Sequence, residues 1–124
     1  MIKAVHHAQI SIPIGSEPEA KAFYCGVLGM REIPKPASLA GRGGFWVQLG
    51  DCQIHFGVED DIERAKTRAH VAYLIEGLSQ WRDRLNSVGI MTKDGIPIPG
   101  YNRFEFRDPF GNRVEFMEIM TQPS

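Results

Sequence analysis

The chain has 124 residues, the size of one ordinary domain or of two very small modules sharing a core, so two independent folded domains are not expected. Hydrophobic residues make up 43% and charged residues 23%, which is enough to bury a core and excludes a disordered chain. Fourteen Lys plus Arg against fifteen Asp plus Glu leave a net charge of −1, too balanced for a nucleic-acid or anionic-membrane surface.

Residues 5–13 alternate, with His7, Gln9 and Ser11 on one side and Ala8, Ile10 and Ile12 on the other, the period of a strand with one buried face. Ser16 and Glu19 then have the spacing that can cap a helix reciprocally, with Pro18 tolerated in the first turn. Ala20, Phe23, Tyr24, Val27 and Leu28 make one apolar stripe on a helix that Gly29 terminates. A short strand is expected over 30–33, and 34–44 is rich in turn formers and reads as a mobile loop. Strands over 45–49 and 53–58 follow, separated by Gly50, Asp51 and Cys52 as a hairpin turn. The charged segment 59–68 has no strand alternation and reads as a solvated linker.

The same order then returns. Residues 69–75 read as a strand, Leu78, Trp81, Leu85 and Val88 as a helical stripe closed by Gly89, and 90–92, 102–107 and 113–119 as three more strands. The last two are joined across Asp108, Pro109, Phe110, Gly111 and Asn112, a strong turn signal. His70 stands 63 residues after His7, Gly89 60 after Gly29, and Glu115 60 after His55, the signature of a repeated β-α-β-β-β unit. One domain over 1–124 is expected, with module 1 at about 1–58, the linker at 59–68 and module 2 at about 69–120.

A one-residue step along a strand moves a side chain to the opposite face of the sheet. With Ile10, Ile12, Ile54, Phe56, Val71, Tyr73, Val114 and Phe116 turned to the helices, His7, His55, His70 and Glu115 all take the other face. If that face is concave, the four would converge as imidazole nitrogens and a carboxylate do around a divalent metal. Trp46, Gln48, Arg103, Glu105 and Arg107 share it, whereas His6 has the opposite parity and reads as a partly exposed residue. The alternative is an ordinary half-exposed sheet, whose polar positions alternate in the same way.

Four stretches resemble the vicinal oxygen chelate superfamily: residues 5–10, 22–30 with Phe23-Tyr24 and Leu28-Gly29, 69–72, and 107–116 with Asp108-Pro109, Gly111 and Glu115. The superfamily includes glyoxalase I, extradiol dioxygenases, fosfomycin and bleomycin resistance proteins and methylmalonyl-CoA epimerases. The resemblance covers nearly the whole chain. It implies an α+β fold in which two βαβββ modules form a curved, largely antiparallel eight-stranded sheet around a cup, helices outside. It also implies a divalent ion (Zn, Ni, Mn, Co or Fe(II)) that chelates adjacent oxygens of a small substrate, and a homodimer. His7, His70 and Glu115 match the family's ligand positions.

Glyoxalase I usually carries Glu where this chain has His55, a departure that leaves three roles for that ring: fourth ligand, general acid or base, or a structural imidazole. His55 and Glu115 are the candidates for catalysis. Lyase or isomerase chemistry competes with a dioxygenase, because two His and one carboxylate also suit Fe(II). A non-catalytic antibiotic-binding protein of the bleomycin-resistance type is the further alternative. Arg103 and Arg107 are candidates for holding an anionic substrate, Arg107 alternatively pairing with Glu105 or solvent. Trp46 and Tyr101 offer an aromatic wall, Gln48 a polar contact, and the loop at 34–44, with Lys35 and Arg42, a lid.

No apolar run approaches the roughly 18 residues of a membrane span, and the start lacks the apolar stretch of a signal peptide, so the expected compartment is the cytoplasm. Cys25 and Cys52 are not in a C-x-x-C pair and are expected as reduced thiols, a single bridge being the minority reading.

Overall fold

A computed structural model of the protein describes residues 1–121. The chain divides into two units, Met1–Ile62 and Glu63–Ser124, the division falling inside the expected linker. Among the described residues eight strands are shared between two four-stranded mixed sheets, one in each unit. Two βαβββ modules are thus present, as the repeat and the resemblance implied.

In the first unit, β1 (His7–Ile12) leads to α1 (Glu17–Lys21), then β2 (Arg31–Ile33), β3 (Phe45–Leu49) and β4 (Cys52–Val58), in the spatial order β1-β4-β3-β2. β1 runs parallel to β4, and the other pairs are antiparallel. The helix pattern continues past α1 as wider turns over Ala22–Val27, in which the Leu28 amide donates to the Phe23 carbonyl, five residues back, at 2.9 Å. Gly29, at φ +77°, then lets the Met30 amide reach the Tyr24 carbonyl and end the helix. Ala20, Phe23, Tyr24 and Leu28 are buried as the stripe required, and Tyr24 and Phe45 each lie 4.5 Å, centroid to centroid, from the Phe56 ring.

Ser16 does not cap the helix. Its hydroxyl donates instead to the Pro13 carbonyl at 2.6 Å, so the capping box expected with Glu19 is not formed. The 34–44 stretch is not an open loop throughout, since Ala37–Arg42 form 3₁₀ turns and Lys35 Nζ donates to the Gly43 carbonyl at 2.5 Å. The β3–β4 hairpin turns on Gly50 and Asp51 alone, Cys52 already pairing with Leu49.

The second unit repeats the plan with β5 (His70–Leu74), α2 (Leu78–Ser87), β6 (Lys93–Asp94), β7 (Tyr101–Arg107) and β8 (Arg113–Ile119), in the order β5-β8-β7-β6. β5 is parallel to β8 and the other pairs are antiparallel. The strand expected at 90–92 is displaced to the two residues of β6. The Ile90 amide is already used by the Leu85 carbonyl at the helix end, and Pro97 and Pro99 prevent extension beyond. Leu85 is fully buried and Val88 is exposed, so the α2 stripe is narrower than expected. A carboxylate from β8 caps α2, Glu118 accepting from the Gly77 and Leu78 amides at 2.8 and 3.4 Å.

The linker is not a merely solvated connector. Arg64 is buried, and Gly111, at φ +97°, packs on the Ala65 backbone. Arg107 Nη1 donates to the carbonyls of Arg64, Thr67 and Gly111 at 3.2 to 3.4 Å. Its guanidinium therefore ties the linker to the β7–β8 turn and is not paired with Glu105, which binds Arg113. Cys25 and Cys52 are free thiols. Among the described residues no helix is long and apolar enough to cross a membrane.

Candidate functional site

In the first sheet, register decides which side chains meet. Gln9 of β1 and Trp46 of β3 stand directly across from His55 on its two sides, and His7 is across from Gln53. Cross-strand neighbours on one face are close enough for rings to touch. The His55 ring accordingly lies between two others, with centroids 4.0 Å from His7 (14° between planes) and 3.8 Å from Trp46 (3°). This stack explains why His55 is only 6% exposed although it sits on the polar face.

His55 Nε2 donates to Gln53 Oε1 at 2.9 Å, since an amide oxygen only accepts. The Nδ1 atoms of His7 and exposed His6 are 2.9 Å apart, one donating to the other. Burial first, and then the positive charge of His7, His6 and Lys35, lowers the His55 pKa from 6.5 to about 4. The ring is neutral at pH 7.

A stability change follows from that shift. Between pH 6.5 and 4 the unfolded chain protonates at His55 while the folded chain does not, so stability falls as pH drops through this window and is fully present above it. The loss is about 3 kcal/mol at the bottom of the window. Metal-stripped protein should show this slope in denaturant midpoints measured from pH 7 to 4, and His55→Phe, which keeps a stacking ring, should flatten it. An unchanged slope in the variant would assign the acid sensitivity elsewhere.

In the second sheet His70 and Glu115 form the corresponding pair. His70 Nδ1 donates to the Arg68 carbonyl at 2.9 Å, and in the neutral ring this leaves the lone pair on Nε2. That nitrogen lies 3.2 Å from Glu115 Oε1, while the other carboxylate oxygen is 3.2 Å from Arg103 Nη1. Glu115 is buried at 4% exposure. Two lone-pair donors thus face each other, an arrangement satisfied by a proton on Nε2 or by a shared cation. A second-atom bond to a backbone carbonyl is also how metal-binding imidazoles are oriented.

The structure therefore brings together His7 with His55, and His70 with Glu115, each pair within its own sheet. Among the described residues there is no group of three or more His, Cys, Asp or Glu side chains arranged to hold a metal ion. Of the substrate-contact candidates, Trp46 is engaged in the His55 stack, and Gln48 uses its amide on the Gly50 and Cys52 carbonyls of the hairpin turn. Tyr101 is exposed at the start of β7. Arg103 also donates through Nε and Nη2 to the Ile96 carbonyl. Neither Gln53 nor the Arg68 carbonyl carries a motif that marks a role in the sequence. Strand parity puts Gln53 on the right face, but a backbone carbonyl leaves no trace in side-chain patterning.

The model of the Glyoxalase/Bleomycin resistance protein/Dioxygenase superfamily matches residues 4–116. A protein from Bacillus anthracis, described as belonging to the glyoxalase family, is 43% identical, with 97% of this chain and 98% of that one covered and a TM-score of 0.89. The fosfomycin resistance protein FosX from Listeria monocytogenes, complexed with Mn(II) and sulfate, superposes at a TM-score of 0.77 with 17% identity, over 97% of this chain and 93% of its own. A lactoylglutathione lyase from Agrobacterium tumefaciens does so at 0.71 with 19% identity, over 95% of each chain. At those identities the last two share the fold alone. No curated protein matches the chain. The chain belongs to the Glyoxalase/Bleomycin resistance protein/Dioxygenase superfamily.

Proposed function

We propose that the protein is a metal-dependent enzyme of lyase or isomerase type, acting on a small oxygen-rich substrate, with a cytoplasmic homodimer as its working form. His70 and Glu115 of the second unit would hold a divalent ion, and His7 and His55 are the further donors that the chain offers. The observation that carries this reading is the His70–Glu115 pair, in which a ring lone pair oriented by the Arg68 carbonyl faces a buried carboxylate oxygen 3.2 Å away. Nitrogen and carboxylate donors of this kind suit Zn, Mn, Ni, Co or Fe(II). Mn(II) in the Listeria structure of the same fold supports a divalent ion without identifying it. When bound, such an ion supplies Lewis-acid stabilisation of negative charge on a substrate oxygen.

The chain's own residues divide the remaining work. Arg103 holds the Oε2 side of Glu115 and leaves Oε1 facing His70, the two groups that would hold the ion. The Arg68 carbonyl keeps the His70 proton on Nδ1. His55, held flat between His7 and Trp46, serves better as a neutral ligand or N–H donor than as a base. An imidazole with its pKa lowered to about 4 accepts protons poorly at neutral pH.

Protein purified without a chelating column is expected to carry near-stoichiometric divalent metal by elemental analysis. Metal-free protein that takes up none of Mn(II), Zn(II), Ni(II), Co(II) or Fe(II) in calorimetric titration would overturn the reading and favour a ligand-sequestering protein. Because two His and one carboxylate also suit Fe(II), iron together with oxygen uptake on catechols would move the assignment to a dioxygenase.

A further inference from the structure

The first unit contains a cavity of about 480 Å³ on the polar side of its sheet, within the range of small-molecule sites. Its lining includes aromatic, apolar and cationic groups beside the neutral amide of Gln9. His7 and Trp46 contribute aromatic surface from the stack around His55, and Leu39 and Val58 contribute apolar surface. Lys35 and Arg42 contribute two permanent cations, both from the segment between β2 and β3. No carboxylate lines the cavity among the described residues; Glu17, behind Gly43, accepts from the Gly44 amide through Oε2, and its Oε1 is buried without a hydrogen-bond partner.

The cations differ in how they are held. Lys35 Nζ is half-buried and tethered to the Gly43 carbonyl, a neutral acceptor that leaves its charge uncompensated and two of its three N–H donors unused by that bond. Arg42 has no carboxylate partner among the described residues, so its planar fork is available for a bidentate anion. Both cations beside an aromatic wall, with no acid among them, amount to a polarity pattern that selects charge at one end of a ligand and a flat body at the other.

We propose that this cavity binds a small planar organic anion, its carboxylate or phosphonate held by Lys35 and Arg42 and its unsaturated body lying against Trp46. The inference deepens the proposed function and rests on it only in taking this face of the first sheet as the substrate's. It does not use the metal. Stripping the metal therefore separates failure of one from failure of the other.

The test uses the full chain carrying Trp81→Phe, which leaves Trp46 as its single tryptophan, dialysed against EDTA. Benzoate and phenylphosphonate should quench Trp46 fluorescence saturably and more weakly as salt is raised, while the neutral isostere benzamide should bind about ten-fold more weakly, the worth of one charge-assisted hydrogen bond. Arg42→Gln, which breaks no contact seen in the fold, and Lys35→Met should each weaken the anions about five-fold or more with little effect on benzamide. Equal binding of benzoate and benzamide, an anion preference that survives both substitutions, or no saturable quenching would each overturn the proposal. Anion binding that appears only on adding Mn(II) would also overturn it while leaving the metal reading intact. Anion binding in a protein that takes up no metal would do the reverse.

Discussion

Glu115→Gln is expected to abolish stoichiometric metal binding while leaving the fold in place. The substitution conserves volume and keeps an oxygen beside Arg103, whose other donors remain bonded to the Ile96 carbonyl. What it removes is the negative charge that a divalent ion needs opposite His70. Loss of outer-shell support alone weakens metal sites about 10- to 100-fold, so loss of the charged donor itself should weaken uptake by at least about 100-fold. Glu115→Ala is harsher, since it also leaves Arg103 without its carboxylate in a poorly exposed setting, with about 1–3 kcal/mol of added destabilisation. Calorimetric metal titration and thermal unfolding on both variants separate the two roles. A Gln variant that binds metal as tightly as the parent would reduce Glu115 to a structural partner of Arg103 and His70.

The extent to which the sequence anticipated this site depended on the kind of interaction. Period-two alternation placed Ile10, Ile12, Ile54, Phe56, Val114 and Phe116 in the core because burying one face of a strand leaves no freedom in parity. The same rule put His55 and Glu115 on the other face, but it did not reveal that both would be buried there. That burial comes from neighbouring strands, with His7 and Trp46 stacked on His55 and with Arg103 and His70 on Glu115. Helix ends were read less well. Ser16 met the sequence rule for a cap and bonded to Pro13 instead, whereas α2 is capped by Glu118, forty residues away from Leu78 and invisible to any local motif. Arg107 offers the same guanidinium fork to an anion as Arg103, yet backbone carbonyls of the linker and turn claim it.

Stacking also changes what His55 can do. An exposed imidazole at that place would titrate near neutral pH and suit proton transfer, whereas one enclosed between two rings is held neutral and fixed in plane. Burial between His7 and Trp46 comes first and the charges of His7, His6 and Lys35 after it, so the chemistry available to His55 depends in part on how closely β3, which carries Trp46, is held against β4.

Gly44 holds that spacing, and Gly44→Ala is expected to be among the most damaging single changes in the first unit. Its φ of +77° already disfavours any side chain, and a Cβ built there would lie 1.9 Å from the Phe56 carbonyl oxygen, well inside van der Waals contact. The obstacle is backbone rather than a movable side chain, so β3 must shift away from β4, opening the Phe45–Phe56 stack at the start of the hairpin. Strain and lost packing together should amount to about 3 kcal/mol or more, roughly a 10 °C fall in melting temperature for a chain of this size. Gly50→Ala is the control. Gly50 has a comparable φ of +57° with nothing within 4 Å of a built Cβ, so only the backbone preference of about 1 kcal/mol is lost. Equal melting shifts in the two variants would show that the close approach at Phe56 is not what matters. A second readout follows from the stack: in Gly44→Ala protein that still folds, Trp46 should separate from His55, and the His55 titration followed by NMR should move from about 4 back toward 6.5.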